Sequence, residues 1–430
     1  MRFGPPALIL ALLCVVLPTV GAQDAELPTA APATVGFSPE RLALLNPSYK
    51  KFVDDGSLSG IVTLVARHGK VVATNAYGFQ DLEKKTPMRQ DAIFRIYSMT
   101  KPITGVAMMK LYEQGKWHPD DPLSRYIPEF ADLQVYAGTD AAGAVKLEKP
   151  AHPPTVGELM THTAGFTYGF FGDTPVDKQY RADSPLSAPT LQAFVEKVAR
   201  IPLLYQPGTQ WVYSVSVDIQ GHLVEKLSGK SLPDYLQQEI FGPLGMRDTS
   251  FAVPAAKLDR LATIYRYDQK GAVTPTPRDA KISTVPGMAS GGGGLYSTAR
   301  DYARFAQMLA NGGVLNGARI LAPSTVALMR ANHLPDSFRD KGFGVGRQRI
   351  RPGFGFGYDV AVFDDPHQAG STTGTGTYLW DGAAGTWFWI DPTNDIVFVG
   401  MIQRMGANGP ELQNLSRALV QQALVEPSRH

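Results

Sequence analysis

The chain has 430 residues, of which 44% are hydrophobic and 19% are charged, a composition typical of a globular protein. Its 41 lysines and arginines nearly balance its 39 aspartates and glutamates, so the charge does not indicate a polyanionic partner. No basic block or aromatic-basic ladder argues for nucleic-acid binding. The length predicts one large domain or two intimately associated domains.

The N-terminus has the pattern of a targeting segment. Arg2 supplies a positive charge, and Ala7–Val16 is an apolar run that is too short to span a bilayer. Val20-Gly21-Ala22 fits a cleavage site, which predicts a signal peptide over residues 1–22 and a secreted or periplasmic mature chain without a membrane span. The only cysteine, Cys14, lies inside this peptide, so we expect neither disulfides nor thiolate metal sites in the mature chain.

Strand patterns occur near both ends of the chain. Ile61–Ala66 and Lys70–Tyr77 predict a hairpin around Arg67-His68-Gly69. Because two strands are not stable alone, we expect their partners far away in the sequence. Strand patterns return in the C-terminal part, at Tyr358–Phe363, Thr377–Gly382, Thr386–Ile390 and Ile396–Ile402. The sequence therefore predicts one antiparallel sheet that is flanked by the first and last helices.

The middle of the chain is dominated by helical patterns. Thr155-Val156-Gly157-Glu158 is a capping box, and Leu191–Arg200 and Val217–Leu227 have helical periodicity. Four glycines, Gly291–Gly294, allow close backbone approach where the α/β part resumes, and Ser297 is predicted to cap the next helix. The predicted organisation is a flexible leader over residues 23–37, a discontinuous α/β domain over 38–118 and 286–430, and an inserted helical domain over 119–285.

An almost wholly apolar helix follows the loop that begins at Phe94. Pro102 lacks an N–H and fits a first helical turn, which places the helix start near Ser98, and Gly115 offers a stop. Ser98 and Lys101 are three residues apart and share one face of this helix. A hydroxyl beside an amine at a helix N-terminus is a plausible activated nucleophile, because the helix field favours an alkoxide and disfavours a charged lysine.

The Ser-x-x-Lys spacing is weak evidence by itself. The chain holds 21 serines and 18 lysines, so about one such match is expected by chance. A second copy, Ser48-Tyr49-Lys50-Lys51, does occur in a polar segment. A helix cap at Ser98 and a solvated lysine at Lys101 are an equally good interpretation of the spacing. The sequence has neither a Gly-x-Ser-x-Gly elbow nor a His-Glu-x-x-His motif, and His162 is better interpreted as a hydrogen-bonded helix-end residue than as a base.

Taken together, these features resemble the serine β-lactamase and penicillin-recognising fold, and most closely the class C β-lactamases and the family VIII carboxylesterases. The resemblance covers about residues 38–425. The motifs that carry it are Tyr97-Ser98-Met99-Thr100-Lys101, Leu159-Met160-Thr161-His162-Thr163-Ala164-Gly165, Tyr213-Ser214-Val215, the run Gly291–Tyr302 and Trp380-Asp381-Gly382. Jointly they are specific, and they favour the catalytic interpretation of Ser98 over the capping one.

The resemblance implies a role for each site residue. Ser98 is the nucleophile, Lys101 its partner and Tyr213 the second-motif tyrosine that assists proton transfer. The backbone N–H groups of Ser98 and Ala383 form the oxyanion hole. Either a neutral Lys101 or a Tyr213 phenolate stabilised by Lys101 takes the serine proton, and both routes stay open. Neither a cofactor nor a metal is expected.

Two departures from the β-lactamase pattern bear on the substrate. Val215 stands where those enzymes carry asparagine, and Trp380-Asp381-Gly382 stands where they carry Lys-Thr-Gly. The esterase branch, with Trp-Gly-Gly at that place, is more similar, although Asp381 departs from it as well. On a strand of period two, Asp381 points away from the side of Trp380 and Gly382, so whether it faces the site is open. Trp380, Asp381 and Gly382 are the substrate contacts expected from this motif.

An aromatic stretch after Gly165 contributes the remaining candidates. Phe170 and Phe171, together with Tyr97 and Trp380, are predicted to form an apolar wall of the substrate site, and an equally good interpretation places the two phenylalanines in the domain core. The leading functional hypothesis is a serine hydrolase that cleaves short-chain carboxylic esters, which are small-molecule substrates. The alternatives are a β-lactamase, a D-amino-acid peptidase or an acyltransferase on the same fold, and a non-catalytic penicillin-binding-like module. The sequence does not indicate the natural ester or the oligomeric state.

Overall fold

The computed structural model describes Met1 and residues 26–340, 343–345, 348–350 and 352–426. The predicted signal peptide, apart from Met1, lies outside these residues. Within the described ranges, no helix has the length and apolar character needed to cross a membrane.

Helices occur along the whole described chain. They are α1 (Pro39–Leu42), α2 (Leu45–Asp54), α3 (Thr100–Glu113), α4 (Val156–Met160), α5 (Pro175–Asp183), α6 (Leu191–Val198), α7 (Ser216–Ser228), α8 (Leu232–Leu236), α9 (Gly242–Leu244), α10 (Ala299–Ala310), α11 (Pro323–Met329), α12 (Asp336–Asp340) and α13 (Leu412–Gln421). Short 3-10 segments and one π segment, Gln237–Phe241, connect several of them.

The strands concentrate near the two ends of the chain. They are β1 (Gly60–Arg67), β2 (Lys70–Asp81), β3 (Thr86–Pro87), β4 (Phe94–Arg95), β5 (Val135–Thr139), β6 (Val145–Glu148), β7 (Tyr265–Tyr267), β8 (Val273–Pro275), β9 (Tyr296–Ser297), β10 (Val314–Leu315), β11 (Ala318–Arg319), β12 (Phe343–Val345), β13 (Gln348–Ile350), β14 (Phe354–Phe356), β15 (Ala361–Phe363), β16 (Thr377–Asp381), β17 (Trp387–Asp391), β18 (Ile396–Met401) and β19 (Arg404–Gly406).

One eight-stranded sheet unites the two ends of the chain. Its strand order is β14-β15-β16-β17-β18-β1-β2-β3, and each neighbouring pair is antiparallel. β1 pairs with β18, with Val62 opposite Met401 and Arg67 opposite Ile396. This confirms the predicted antiparallel sheet, in which the N-terminal hairpin needs C-terminal strands as partners.

Helices cover both faces of this sheet, and β17 shows how. Trp387 and Trp389 each donate an indole hydrogen bond to Ser416 of α13, at 3.2 and 3.0 Å. Phe388, between them, contacts Tyr302 of α10, with ring centroids 5.0 Å apart. Because successive side chains of a strand point to opposite faces, one strand anchors a helix on each side. The first helices, with α2, lie on the α13 side.

Two observations bear on the predicted division into domains. Strands β7 and β8, inside the predicted insert, form a small sheet with β19 near the C-terminus. The remainder of the insert carries helices α4–α9, and among them the 13-residue α7 packs against α3. The domain boundaries themselves stay a prediction.

Two local expectations differ from the structure. Residues 26–37 of the predicted flexible leader are packed: the amide of Ala30 donates to the Val71 carbonyl at 2.9 Å, and Phe37 is buried. Apolar residues between the alanines and prolines of this segment supply the contacts that hold it to the fold. The cap of α10 is Thr298, whose hydroxyl accepts from the amide of Asp301, whereas Ser297 lies one residue earlier, in β9.

Candidate active site

Ser98 lies in a single 3-10 turn, Tyr97–Met99, that leads directly into α3. Tyr97 has a φ of 43°, a left-handed conformation that is uncommon for a side-chain-bearing residue and often marks a functional site. Lys101, one helical turn further on, donates a hydrogen bond from Nζ to Ser98 Oγ at 3.2 Å. The residue at the cap position of α3 is Met99, without a side-chain capping bond. The capping interpretation of Ser98 is therefore not what the structure shows.

Lys101 is fully buried although α3 begins at the site. Its ammonium group donates to the carbonyl of Gly292 at 2.7 Å and lies 4.6 Å from the ring centre of Tyr213 and 5.4 Å from that of Tyr168. Burial lowers the pKa of Lys101 to about 8, and three carboxyl groups, those of Asp218, Asp359 and Asp381, oppose this shift. A substantial fraction of this amine is thus neutral at mildly alkaline pH, as a general base must be.

Tyr213 lies in the loop before α7 and is held by rings. Trp211 stacks on it, with centroids 6.2 Å apart and planes 16° from parallel, while His162 and Trp380 lie 5.2 and 5.6 Å away. Burial raises the pKa of the Tyr213 phenol, and a hydrogen bond with Ser98 opposes that rise. The phenol therefore keeps its proton at neutral pH and stands next to the Ser98 hydroxyl as a proton donor.

The turn after β16 closes the other side of the site. The Gly382 amide donates to the Thr386 carbonyl at 2.7 Å, and the Thr386 hydroxyl donates to the carbonyl of Ile96, just before Ser98, at 3.2 Å. A Cβ on Gly382 would lie 2.2 Å from that Ile96 oxygen, so only glycine fits. This close approach holds Ala383 near the nucleophile.

A cavity of about 370 Å³ opens at Ser98. Most of the predicted site residues line it, namely Ser98, Phe171, Tyr213, Trp380, Asp381, Gly382 and Ala383. On the far side it is lined by C-terminal residues that include Arg404, Leu412 and Gln413. The structure therefore brings together residues that are separated by as much as 315 positions in the sequence.

Two predicted substrate contacts lie outside this lining. Tyr97 packs under the guanidinium group of Arg95, which is 4.7 Å from its ring centre. Phe170 stacks on Tyr168, with centroids 5.7 Å apart and planes 7° from parallel. Phe170 and Phe171 are 64% and 60% exposed, so neither belongs to the domain core. They form a rim around the cavity, and only Phe171 lines it.

Asp381 does line the cavity, which answers the question that strand alternation left open. Its carboxylate accepts a hydrogen bond from Gln413 Nε2 at 2.6 Å. β16 ends at Asp381, and the cavity continues past the strand end toward α13, so a rule about the two faces of a strand does not decide its orientation here.

Sequence reasoning missed a second group of residues behind Lys101. Asp218, in the first turn of α7, accepts a hydrogen bond from the Gly292 amide at 3.1 Å and another from the Ser290 hydroxyl. Gly291 is pressed against α7, because a Cβ there would lie 2.5 Å from the Val217 carbonyl. The four-glycine run predicted the close backbone approach. Nothing in the sequence indicated that the carbonyl of Gly292 would accept the Lys101 hydrogen bond.

Among the residues that the structure describes, no group of three or more histidine, cysteine, aspartate or glutamate side chains is arranged to hold a metal ion.

The fold and this site define a serine hydrolase of the β-lactamase-like class. A model of the Beta-lactamase family matches residues 46–423, and the chain belongs to that family. The matched region contains the 3-10 turn of Ser98, the loop of Tyr213 and the strand of Trp380.

Several relatives are similar over most of their length. Protein Rv1367c of Mycobacterium tuberculosis is 36% identical over 365 residues, which cover 83% of this chain and 88% of that protein. Esterase EstB of Burkholderia gladioli is 32% identical over 368 residues, which cover 80% of this chain and 86% of the esterase. Among solved structures, EstCE1, described as a hydrolase with promiscuous acyltransferase activity, has a TM-score of 0.72 and 28% identity, covering 90% of this chain and 99% of that one.

Proposed function

We propose that the protein hydrolyses short-chain carboxylic esters through an acyl-enzyme on Ser98. The observation that carries this proposal is the 3.2 Å contact between Ser98 Oγ and the buried amine of Lys101 at the cavity. Two similar proteins, Esterase EstB and the hydrolase EstCE1, support the same class of reaction. The cavity volume of about 370 Å³ suits a small-molecule ester.

In the proposed first step, neutral Lys101 takes the Ser98 proton while Oγ attacks the ester carbonyl carbon. The buried phenol of Tyr213, whose pKa is raised by burial, favours Lys101 over a Tyr213 phenolate as the base. The backbone N–H groups of Ser98 and Ala383 stabilise the oxyanion of the tetrahedral intermediate, and one such donor contributes about 3 kcal/mol.

In the second step the carbon–oxygen bond to the alcohol breaks. The phenol of Tyr213 gives its proton to the departing alkoxide and regains one from the Lys101 ammonium, which leaves the acyl group on Ser98. Water then attacks the acyl carbonyl and gives a proton to Lys101. The bond between the acyl carbon and Ser98 Oγ breaks, the carboxylic acid leaves, and the Lys101 ammonium returns the proton to Ser98. The placement of the phenol next to Ser98 supports this route.

The same geometry favours esters over β-lactams. A β-lactam presents a carboxylate and an amide side chain, and the matching cation and amide are replaced by Trp380 and Val215. Trp380 packs its ring against Tyr213, and Val215 is buried as the cap of α7. Loss of a charged hydrogen bond costs roughly 1.5–3 kcal/mol, which is about ten- to a hundredfold in rate.

One assay decides between these substrates. We expect kcat/KM for p-nitrophenyl acetate or butyrate to exceed that for a chromogenic cephalosporin on the same preparation by at least about tenfold. Cephalosporin values equal to or above the ester values would overturn the esterase proposal in favour of a β-lactamase.

A covalent label tests the nucleophile. A fluorophosphonate probe should label the parent protein, whereas Ser98→Ala should lose both labelling and ester hydrolysis and keep its Tm. Ser48→Ala, which removes the serine of the other Ser-x-x-Lys match, is the matched control and should behave as the parent. Labelling that persists in Ser98→Ala would exclude Ser98, and with it the acyl-enzyme.

We further propose that the protein is exported and that the mature chain begins at Gln23, because residues 1–22 have the pattern of a signal peptide. N-terminal sequencing of protein recovered from the periplasm or the medium tests this. A retained Met1 would contradict it.

A further inference from the structure

We propose that Asp218 is a positioning residue which, through Gly292, holds the Lys101 amine against Ser98 and supplies the negative charge that keeps this lysine able to carry a proton. The inference rests on the proposed function, because it concerns the base of that reaction.

A continuous chain of hydrogen bonds joins Asp218 to the nucleophile. Asp218 Oδ1 accepts from the Gly292 amide at 3.1 Å, and the carbonyl of the same residue accepts from Lys101 Nζ at 2.7 Å. Lys101 in turn donates to Ser98 Oγ at 3.2 Å. The two polar groups of Gly292 are thus bound on opposite sides, so a displacement of the Asp218 carboxylate displaces the acceptor of Lys101.

The surroundings of Asp218 fix its carboxylate in one place. The side chain is fully buried and also accepts from the Ser290 hydroxyl. A Cβ on Gly292 would lie 2.6 Å from Asp218 Oδ2 and 2.9 Å from the Tyr168 hydroxyl, so the peptide is wedged between these two groups. Asp218 lies in the first turn of α7, and this position favours a negative charge on its carboxyl group, because the N-terminal end of a helix is electropositive.

Asp218 and Lys101 are buried near each other, and each charge opposes the effect of burial on the pKa of the other group. Burial raises the pKa of Asp218, and the charge of Lys101 and the bonds from Ser290 and Gly292 oppose that rise. In return, Asp218 is the carboxyl group that most strongly opposes the lowering of the Lys101 pKa by burial. An amine with too low a pKa would hold the Ser98 proton poorly, so the acid tunes the base.

Other groups also face Lys101, from every element packed around it. They are the carboxyls of Asp359, before β15, and of Asp381, at the end of β16, the rings of Tyr168 and Tyr213, and the imidazole of His162. Asp359 lies against Gly105 of α3 and accepts from Gln220 at 3.0 Å, and burial raises its pKa well above its usual range. Asp381 is half-buried beside the cavity. Asp218 is the acid that accepts a hydrogen bond from Gly292, the residue whose carbonyl accepts from Lys101.

Asp218→Asn is the variant that separates charge from shape. Its amide oxygen still accepts from Gly292 and Ser290, whereas the negative charge is lost. We expect the rising limb of the pH profile of kcat/KM to move to lower pH by about one pH unit, because loss of a nearby opposite charge lowers the pKa of the lysine. A residue with a merely structural role would lower kcat/KM at every pH and leave the midpoint in place.

Asp391→Asn is the matched control. Asp391 is also a buried carboxylate that accepts backbone amides, from Gly374 at 2.8 Å and Asn394 at 3.0 Å, at the opposite end of β17 from the Gly382 turn. We expect this variant to lower Tm without moving the midpoint. Asp218→Ser, which keeps an uncharged acceptor, replaces Asp218→Asn if the latter does not fold.

The outcomes separate this inference from the proposed function. Ester hydrolysis that survives in Ser98→Ala refutes the proposed function and the role of Asp218 within it. Hydrolysis that depends on Ser98, together with an Asp218→Asn midpoint equal to that of the parent, refutes the Asp218 inference alone. A midpoint that moves equally in Asp391→Asn also refutes it, because the shift would then follow from any buried carboxylate.

Discussion

The pH dependence of ester hydrolysis is expected to follow the ionisation of Lys101. Burial lowers the pKa of this amine to about 8. With that value, about 1% of the lysine is neutral at pH 6 and half is neutral at pH 8, so kcat/KM should rise about 50-fold between these values. Above about pH 9 the amine is mostly neutral and the rate should level off.

The same ionisation makes the stability of the fold depend on pH. The pKa of Lys101 is about 8 in the folded protein, and it has its ordinary value of 10.5 in the unfolded chain. Between pH 8 and 10.5 the unfolded chain therefore binds more protons than the folded one. The free energy of unfolding therefore rises with pH across this window, by about 3 kcal/mol from this group. Lys101→Met lacks the ionisation and should lack that rise.

Both effects are measurable on one preparation. Initial rates with p-nitrophenyl butyrate, read at the isosbestic wavelength of p-nitrophenol and corrected with Ser98→Ala, give the pH profile. Urea unfolding of the parent and of Lys101→Met at pH 8 and 10.5 gives the difference in stability. A profile that is flat between pH 6 and 8, or parent and variant stabilities that change in parallel, would refute Lys101 as a buried base.

Three further substitutions test the proposed proton donor and the aromatic rim of the site. Tyr213→Phe should lower kcat by about a hundredfold with a much smaller change in KM, because the phenol acts on the leaving alcohol; steady-state kinetics check this, and an unchanged kcat would remove Tyr213 from the mechanism. Phe171→Ala should shift the preference among p-nitrophenyl esters of increasing acyl length more than Phe170→Ala, since only Phe171 lines the cavity, with little change in Tm for either. An unchanged preference in both variants would contradict the role of this rim.

Local physics made part of the fold predictable. The capping box of Thr155 and Glu158 and the buried helix behind Ser98 follow from rules that act within a few residues, and the structure confirms both. The hairpin at His68 and Gly69, both with positive φ, follows from turn chemistry in the same way. Because two strands are not stable alone, the strand patterns near the C-terminus then indicated which distant segments would share the sheet with this hairpin.

The contacts that could not be predicted depend on long-range packing. Asp218 and Gly292 are 74 residues apart, and no rule of spacing relates them. The orientation of Asp381 depends on where β16 ends and on the position of Gln413, 32 residues further on. The packing of residues 26–37 depends on β2, since apolar residues in a segment rich in alanine and proline do not by themselves indicate a partner surface.

The residue at position 380 connects the choice of substrate with the route of the proton. A lysine there would put a second ammonium group next to Tyr213, where it would stabilise a phenolate and lower the pKa of Lys101 further by repulsion. Trp380 instead presents an aromatic ring to Tyr213, at 5.6 Å, and brings no charge. The phenol then keeps its proton, and Lys101, supported by Asp218, remains the group that can accept one from Ser98. In the proposed mechanism, the replacement that removes the cation for a β-lactam carboxylate therefore also leaves Lys101 as the base and Tyr213 as the acid that protonates the departing alcohol.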